Sequence, residues 1–428
     1  MRVLVKNSRI IDASQNLDKI GDIFIESGKI KNVGKNISPN ADKIIEASGK
    51  IAIPGLVDMH VHLREPGRED KETIESGTLA AAKGGITSVL AMPNTEPAID
   101  CIDSVERVKE IIKKNAKVNV FIAAAITKNR AGREVTEVKK LKNHGVLAVT
   151  DDGSSVDDTD IMHRALCAAA KEKILVICHC EDKKLSALGQ VNKGFTSTRM
   201  GLRGISKESE YNRIKRDIDL AAKTGSRIHI AHVSCRESVE IIAKAKKRGI
   251  PVTAETAPHY FSFDESEIWG FDTNKKMNPP LRCADDVLSL KQALAEGVID
   301  AVASDHAPHT ENEKDVEFDK AAFGVTGLET ELSACIKLVE EGLLDWLQLT
   351  RLIAYNPASI LGINKGSLRP GSDADIVLVD ADKKWRVTRD GFVSKSKNSC
   401  FIGKTLRGVV ECTILNGQII YKNESIPG

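Results

Sequence analysis

Residues 58–67 read Asp58-Met59-His60-Val61-His62-Leu63-Arg64-Glu65-Pro66-Gly67, directly after the apolar stretch Ile-Ala-Ile-Pro-Gly-Leu-Val at 51–57. On a β-strand, residues i and i+2 point to the same face. His60 and His62 can therefore aim both imidazoles at one metal ion. Arg64 follows two residues later, close enough to hold an anionic group beside that metal. The segment points to a metal-dependent hydrolase whose substrate carries a carboxylate.

Working outward from it, the middle of the chain repeats one rhythm. Short apolar, β-rich runs occur at 57–61, 87–92, 119–125, 146–150, 174–178, 227–231, 251–255 and 300–304. Amphipathic helical stretches lie between them, among them 71–83, 104–114, 159–171, 237–248 and 285–295. Eight strands alternating with helices predict an α/β fold, a (β/α)₈ TIM barrel, over residues 53–366. No GxGxxG loop opens a helix and no P-loop is present, so a nucleotide site has no support.

The two ends resemble each other. Alternating runs flank Ser27-Gly28 in DIFIESGKIKNVG and Asn416-Gly417 in VVECTILNGQIIY, and each is a hairpin signal. A further strand candidate lies at 374–379. Either end alone is marginal for independent folding. Residues 1–52 and 367–428 are expected to pair into one small composite β domain.

Composition excludes several classes of protein. Of 428 residues, 41% are hydrophobic and 29% charged, ordinary for a soluble globular chain. With 62 basic against 60 acidic residues and no basic block, neither nucleic acid nor an anionic membrane is expected as a partner. No apolar run reaches the roughly 18 residues of a membrane span. The first residues, MRVLVKNSRIIDAS, alternate like a strand and lack a signal peptide's apolar core. Nine scattered cysteines, an odd number, suggest free thiols in a reducing cytoplasm. Cys178 and Cys180 flank His179, but on a strand they face away from it and read as small buried apolar residues.

In such a barrel the catalytic groups gather at the C-terminal ends of the strands. His60 and His62 sit on the first strand, Asn94 follows the second, and Asp151 and Asp152 follow the fourth. His179 ends the fifth, His232 the sixth and Asp305 the eighth. Neutral imidazoles with carboxylates suit Zn²⁺, and an open coordination position would lower the pKa of a bound water to about 7. Two ions about 3.5–4 Å apart would need a bridging carboxylate, for which Asp152 is the candidate. His60, His62, Asp152 and Asp305 could surround one ion, and Asp152, His179 and His232 the other. One of Asp151 and Asp152 is expected to serve a turn or helix cap before Gly153. His229, at the opposite strand parity from His232, is expected to support rather than ligate.

Together these segments resemble a dihydroorotase of the class I type, in the amidohydrolase superfamily. DMHVHLREPG, AMPNTEP, TDDG, HCED, AHVS, KMNPPLR, SDHAPH and FGVTGLE occur in the family's order along nearly the whole chain. The resemblance implies a (β/α)₈ barrel with a composite β domain. It also implies a zinc set of His60, His62, Asp152, His179, His232 and Asp305, holding one or two ions with two favoured, and Asp152 as the bridge. Asp305 would double as catalytic acid/base toward a metal-bound hydroxide. His62, Arg64, Asn94, Asn278 and His309 would contact substrate, with Phe323 and Gly324 in a loop that closes over a pyrimidine ring. The implied reaction is the reversible cyclisation of N-carbamoyl-L-aspartate to L-dihydroorotate in UMP synthesis.

The resemblance further implies association with aspartate transcarbamoylase, and a homo-oligomer is expected. Two alternatives remain open: another cyclic amidohydrolase, hydantoinase- or allantoinase-like, and a non-catalytic partner subunit of the transcarbamoylase. Where the family often has Thr-Pro-His-His, this chain reads Ala257-Pro258-His259-Tyr260. Where relatives bridge metals with a carboxylated lysine, an aspartate stands here. Glu311, Glu313, Lys314 and Asp315 suggest that the 310–327 loop is solvated and mobile.

Overall fold

A computed structural model describes residues 1–423. Its centre is a parallel barrel of eight strands: β1 Leu56–Val61, β2 Ile86–Ala91, β3 Asn119–Ala124, β4 Ala148–Val149, β5 Leu175–Cys178, β6 Ile228–Ile230, β7 Val252–Thr256 and β8 Ala301–Val302. Neighbours in space are neighbours in sequence. The ring meets at its upper rim, where Val61 bridges His306 in parallel and His62 N donates to His306 O at 2.9 Å. Helices alternate with the strands, as the periodicity predicts.

Two strands, β4 and β8, shrink to two residues each, and the reason is local. Past β4, Thr150 N still bonds Ala124 O at 2.8 Å, but the chain then turns at Asp151 and Asp152. Past β8, Ala303 N bonds Thr256 O at 3.2 Å, and Asp305 takes a left-handed φ of 47°. His232, beyond β6, is likewise left-handed at φ 38°. Non-glycine residues pay strain to sit there, and such strain clusters at functional sites. The helix expected at 71–83 starts at Ile74, capped by Thr73, whose side chain accepts from Ser76 N. Lys71 and Glu72 are left in the β1 loop, where their side chains have other partners.

Between β5 and the helix Glu208–Thr224 the chain makes an unanticipated excursion. It carries short helices at Lys183–Ser186 and Phe195–Met200 and a two-stranded pairing of Val191–Asn192 with Gly204–Ile205. Arg282 ties it down, donating to Asn192 Oδ1 at 2.9 Å and to Glu210 Oε2 at 3.3 Å.

The ends of the chain form one sheet. Its order is Gln418–Lys422, Thr405–Leu415, Ile376–Arg386, Ile51–Pro54, Arg2–Asp12, Leu17–Glu26, Lys29–Gly34, with Lys43–Glu46 also on Arg2–Asp12. The two termini join where Ile53 opposes Val377. Both hairpin turns have the anticipated residues: Ser27-Gly28 at φ 52° and 77°, Asn416-Gly417 at φ 49° and 76°. Two successive positive φ values match the right-handed strand twist. Period-two alternation divides the sheet's side chains. Ile10, Ala52, Ile376 and Leu378 join the sheet's own core, whereas Ile11, Ile51, Ile53, Val377 and Val379 join the barrel's. This second face fixes the sheet against the barrel.

Candidate metal centre and anion corner

Asp58 sets the inner rim. Its Oδ1 accepts from His60 N at 3.0 Å and from Ser304 N at 3.2 Å, linking β1 to the segment past β8. The β1–β2 register shifts between Asp58 and Val61. His60 and His62 then face the same buried space as Asp305, as their spacing predicts. Asp152, His179 and His232 arrive there from the ends of β4, β5 and β6.

The ligand atoms are close. His60 Nε2 lies 3.3 Å from Asp152 Oδ1 and 3.6 Å from Asp305 Oδ1. His62 Nε2 lies 3.3 Å from Asp305 Oδ1 and 3.4 Å from Asp152 Oδ2. His179 Nδ1 is 2.8 Å from His232 Nε2 and 3.5 Å from Asp152 Oδ1. His60, Asp152 and His232 form one converging group, and His60, His62 and Asp305 another. Donor atoms about 2.0–2.1 Å from a tetrahedral zinc stand about 3.3 Å apart, so these separations suit a shared cation. His60 Nε2 and Asp152 Oδ1 are buried and have no hydrogen-bond partner. Buried polar atoms are rarely left so, and a cation between them would satisfy both. The residues present therefore fit a metal.

Electrostatics agree. Burial by itself would push the Asp152 carboxyl up, yet His60, His179 and His232 hold it well below the usual range. Burial also opposes ionisation of Asp305, and His60, His62 and His232 overcome it. Both groups are carboxylates at neutral pH.

Residues around this pocket orient it. His60 Nδ1 is 2.9 Å from Glu255 Oε1, so an Nδ1–H donating there leaves Nε2 free toward the metal space. Glu255 Oε2 lies 3.2 Å from His229 Nε2, and His229 Nδ1 lies 2.8 Å from Thr253 Oγ1. His229 thus supports through Glu255, as its parity suggested. Glu255 carried no functional signal in the sequence beyond ending an apolar run. Asn94 Oδ1 is 2.7 Å from His62 Nδ1 and fixes that ring in the same way. Asp151 turns away, accepting from Thr127 N at 3.0 Å and from the Thr127 hydroxyl, so it is the structural member of the Asp pair. Glu181 lies 3.5 Å from His179 Nε2 and bonds the Asn278 side chain; burial raises its pKa, but these contacts bring it down to about 2. Cys178 and Cys180 are buried. Tyr260, in the departing Ala-Pro-His-Tyr segment, donates to Pro279 O at 2.8 Å and braces the Asn278 turn.

A second corner of the rim has the opposite charge balance. Arg64, left-handed at φ 61°, donates from Nε to Pro308 O at 3.2 Å and points Nη2 at His309 Nε2, 3.4 Å away. Burial lowers its pKa to about 10. Among the described residues no carboxylate lies within ion-pair distance of it, although Arg68 and Lys71 both reach Glu313, at 3.1 and 2.8 Å. His309 Nε2 is 2.8 Å from Phe323 O. Gly324 follows at φ 129°, where an added Cβ would stand 2.7 Å from the Ala307 Cβ. Only glycine fits there.

The loop carrying Glu311 to Asp315 departs from expectation at one residue. Lys314 is 5% exposed rather than solvated. Its Nζ donates to Ala322 O at 2.8 Å, Gly324 O at 3.0 Å and Lys276 O at 3.3 Å. Lys276 donates to Phe318 O at 2.7 Å and Asp319 O at 3.1 Å. A folded-back loop turns its carbonyls inward, and these need donors. Burial brings the two ammonium pKa values down to about 7 and about 8.

A (β/α)₈ barrel whose strand-end rim gathers four histidines and two aspartates defines an amidohydrolase-type barrel. Its fold matches the L-hydantoinase (dihydropyrimidinase) from Arthrobacter aurescens with a TM-score of 0.90 at 25% identity, over 100% of this chain and 97% of that one. Residues 49–238 match the family model described as dihydro-orotase-like. The chain is 51% identical to the dihydroorotase of Elusimicrobium minutum, over 100% of this chain and 99% of the relative. It is 48% identical to that of Geobacter metallireducens, over 99% and 100%. The chain belongs to the dihydroorotase family.

Proposed function

We propose that this chain is a zinc-dependent dihydroorotase that interconverts L-dihydroorotate and N-carbamoyl-L-aspartate in pyrimidine nucleotide synthesis. One observation carries the substrate choice: Arg64, a donor-only fork without a carboxylate partner, stands at the rim of the imidazole–carboxylate pocket. A guanidinium fork suits a planar carboxylate. A ring lacking a carboxylate, as in a hydantoinase-type substrate, would leave the half-buried Arg64 fork without an anionic partner.

His60, His62 and Asp305 would hold one ion, and His179 and His232 the other, with Asp152 between them. When bound, such ions supply Lewis acidity at the scissile carbonyl. The chain's own groups do the rest. Asp305, ionised at neutral pH, takes the proton of the attacking water and delivers it to the ring nitrogen as the amide C–N bond breaks. Cyclisation reverses these transfers. Arg64 anchors the substrate carboxylate, with Asn94, Asn278 and His309 as further contacts. Asn94 and Glu255 keep His62 and His60 turned toward the metal space. Phe323 and Gly324 close the loop side. Nine free thiols suit a cytoplasmic setting, and assembly as a homo-oligomer or with aspartate transcarbamoylase belongs to the same reading.

The test is hydrolysis of dihydroorotate by the purified chain alone, before and after chelation, with zinc counted per chain. Zinc-dependent turnover with two ions is the expected result. Zinc without turnover, or preference for an uncharged cyclic amide, would overturn the substrate assignment. Turnover appearing only with added transcarbamoylase would make the chain a dependent subunit.

A further inference from the structure

Lys71 is a lysine in a loop, yet its side chain is only 7% exposed. The backbone around it is tightly held. Lys71 N donates to Arg68 O at 3.0 Å, and Ser396 Oγ donates to Lys71 O at 2.7 Å. The next residue, Glu72, is buried and accepts from Lys395 N at 3.0 Å and from Ser76 and Ser394 hydroxyls, with His306 Nε2 3.2 Å away. A segment more than three hundred residues distant in sequence thus locks the backbone from which Lys71 extends. Its ammonium lands 3.3 Å from His309 Nδ1 and 2.8 Å from Glu313 Oε1.

His309 has three further neighbours: Phe323 O, 2.8 Å from Nε2; Arg64 Nη2, 3.4 Å from the same nitrogen; and Glu313 Oε2, 3.2 Å from Nδ1. The carbonyl makes the shorter contact at Nε2, and Arg64 already donates to Pro308 O. A carbonyl only accepts and an ammonium only donates. A neutral ring satisfies Phe323 and Lys71 together only with the proton on Nε2 and the lone pair on Nδ1. Glu313 does not need the histidine proton, because Lys71, Arg68 and Thr310 N, at 3.1 Å, already donate to it. Burial and the charges of Arg64, Lys71 and Lys314 bring the His309 pKa down to about 3, so the ring is neutral. Arg68 is shared between Glu313 and Asp70, 3.2 Å from its Nε. Arg64 and Lys71 are left facing the single carboxylate of Glu313, which lies in ion-pair distance of Lys71 alone of the two.

We infer that Lys71 is a positioning and specificity residue for the substrate's anionic end. It holds His309 in the tautomer that donates from Nε2 and supplies a second fixed positive charge behind Arg64. The inference rests on the proposed dihydroorotase activity and names a determinant of its selectivity. Lys71 does not touch the reacting atoms; it acts through His309 and through its charge. Its effect therefore falls on substrate capture rather than on the chemical step.

The experiment uses the full zinc-loaded chain and compares Lys71→Met, Lys71→Arg and Glu313→Gln with dihydroorotate as substrate. Lys71→Met is expected to raise KM about 10- to 100-fold, the size of one charge-assisted hydrogen bond, with kcat within about threefold of the parent. Lys71→Arg, which keeps charge and donation, should recover most of that loss. Glu313→Gln should lower KM or leave it, because it removes the competing carboxylate. In ¹⁵N-histidine-labelled protein, the His309 signals should be those of an Nε2–H ring in the parent and should lose that pattern in Lys71→Met. A fall in kcat at unchanged KM would overturn the inference. So would a rise in KM for Glu313→Gln equal to that for Lys71→Met, since Lys71 would then be only a loop latch. Absence of dihydroorotate turnover in the parent chain would instead sink the functional reading, while the tautomer measurement would still decide the role of Lys71 at His309.

Discussion

The pocket between His60 and Asp305 and the corner around Arg64 share one rim but are built on opposite principles. In the pocket, four imidazoles and two carboxylates face each other with donor atoms 2.8 to 3.7 Å apart. Glu255 and Asn94 set the His60 and His62 rings from behind. The groups come from strand ends, and with the imidazoles neutral the two carboxylates leave the pocket net negative. In the corner, Arg68 and Lys71 pair with Glu313. Arg64, Lys276 and Lys314 instead have backbone carbonyls as partners, Pro308 for Arg64 and the 318–324 run for the two lysines. The pocket is arranged to hold something cationic, the corner something anionic. A substrate with a carboxylate at one end and a hydrolysable amide at the other spans both.

The sharpest way to break this division is to neutralise Asp305. Asp305→Asn should keep zinc, because the remaining ligands still converge, but lose about 10³-fold in turnover. Near-parent turnover would move the proton transfer to another group. In the corner, Arg64→Ala should raise KM for dihydroorotate about 10- to 100-fold or more, with a smaller effect on kcat. Steady-state kinetics with an unchanged KM would place the anion site elsewhere on the rim.

Glu255→Gln tests whether the pocket depends on support from behind. An amide can still accept through its oxygen but no longer polarises His60, so zinc affinity should drop about tenfold. Competition against a chromophoric chelator reads this directly; equal affinity would demote Glu255 to packing. The smallest effect is expected at the loop. Lys314→Met removes a donor from three carbonyls and should cost about 1–3 kcal/mol. Burial lowers the Lys314 pKa from 10.5 to about 7. Between those values the unfolded chain binds more protons than the folded one, so stability rises with pH across that window. Denaturant titrations from pH 7 to 10 should show a shallower rise in the variant; an identical slope would mean that Lys314 keeps its proton in the fold.

The pocket could be read from the sequence because each member follows a strand run, and the barrel rule places strand ends on one rim. The hairpins were readable for the same kind of local reason, turn residues suited to positive φ. Other features escaped because they depend on contacts across the fold. Glu255 meets His60 over 195 residues, and nothing near either residue announces the other. Lys314 looks solvated among Glu311, Glu313 and Asp315; only the loop's return path gathers the carbonyls that draw it inward. The shortness of β4 and β8 comes from backbone turns at Asp152 and Asp305 that apolar patterning does not encode.

The sequence by itself determined the alternating architecture, the chemical types at each strand end and the presence of an arginine beside the histidines. These follow from side-chain periodicity and residue identity, which are local. Tertiary structure alone decided which nitrogen of each histidine is free and which cations lack carboxylate partners. Those are properties of distance and burial, and they exist only once segments far apart in the chain meet.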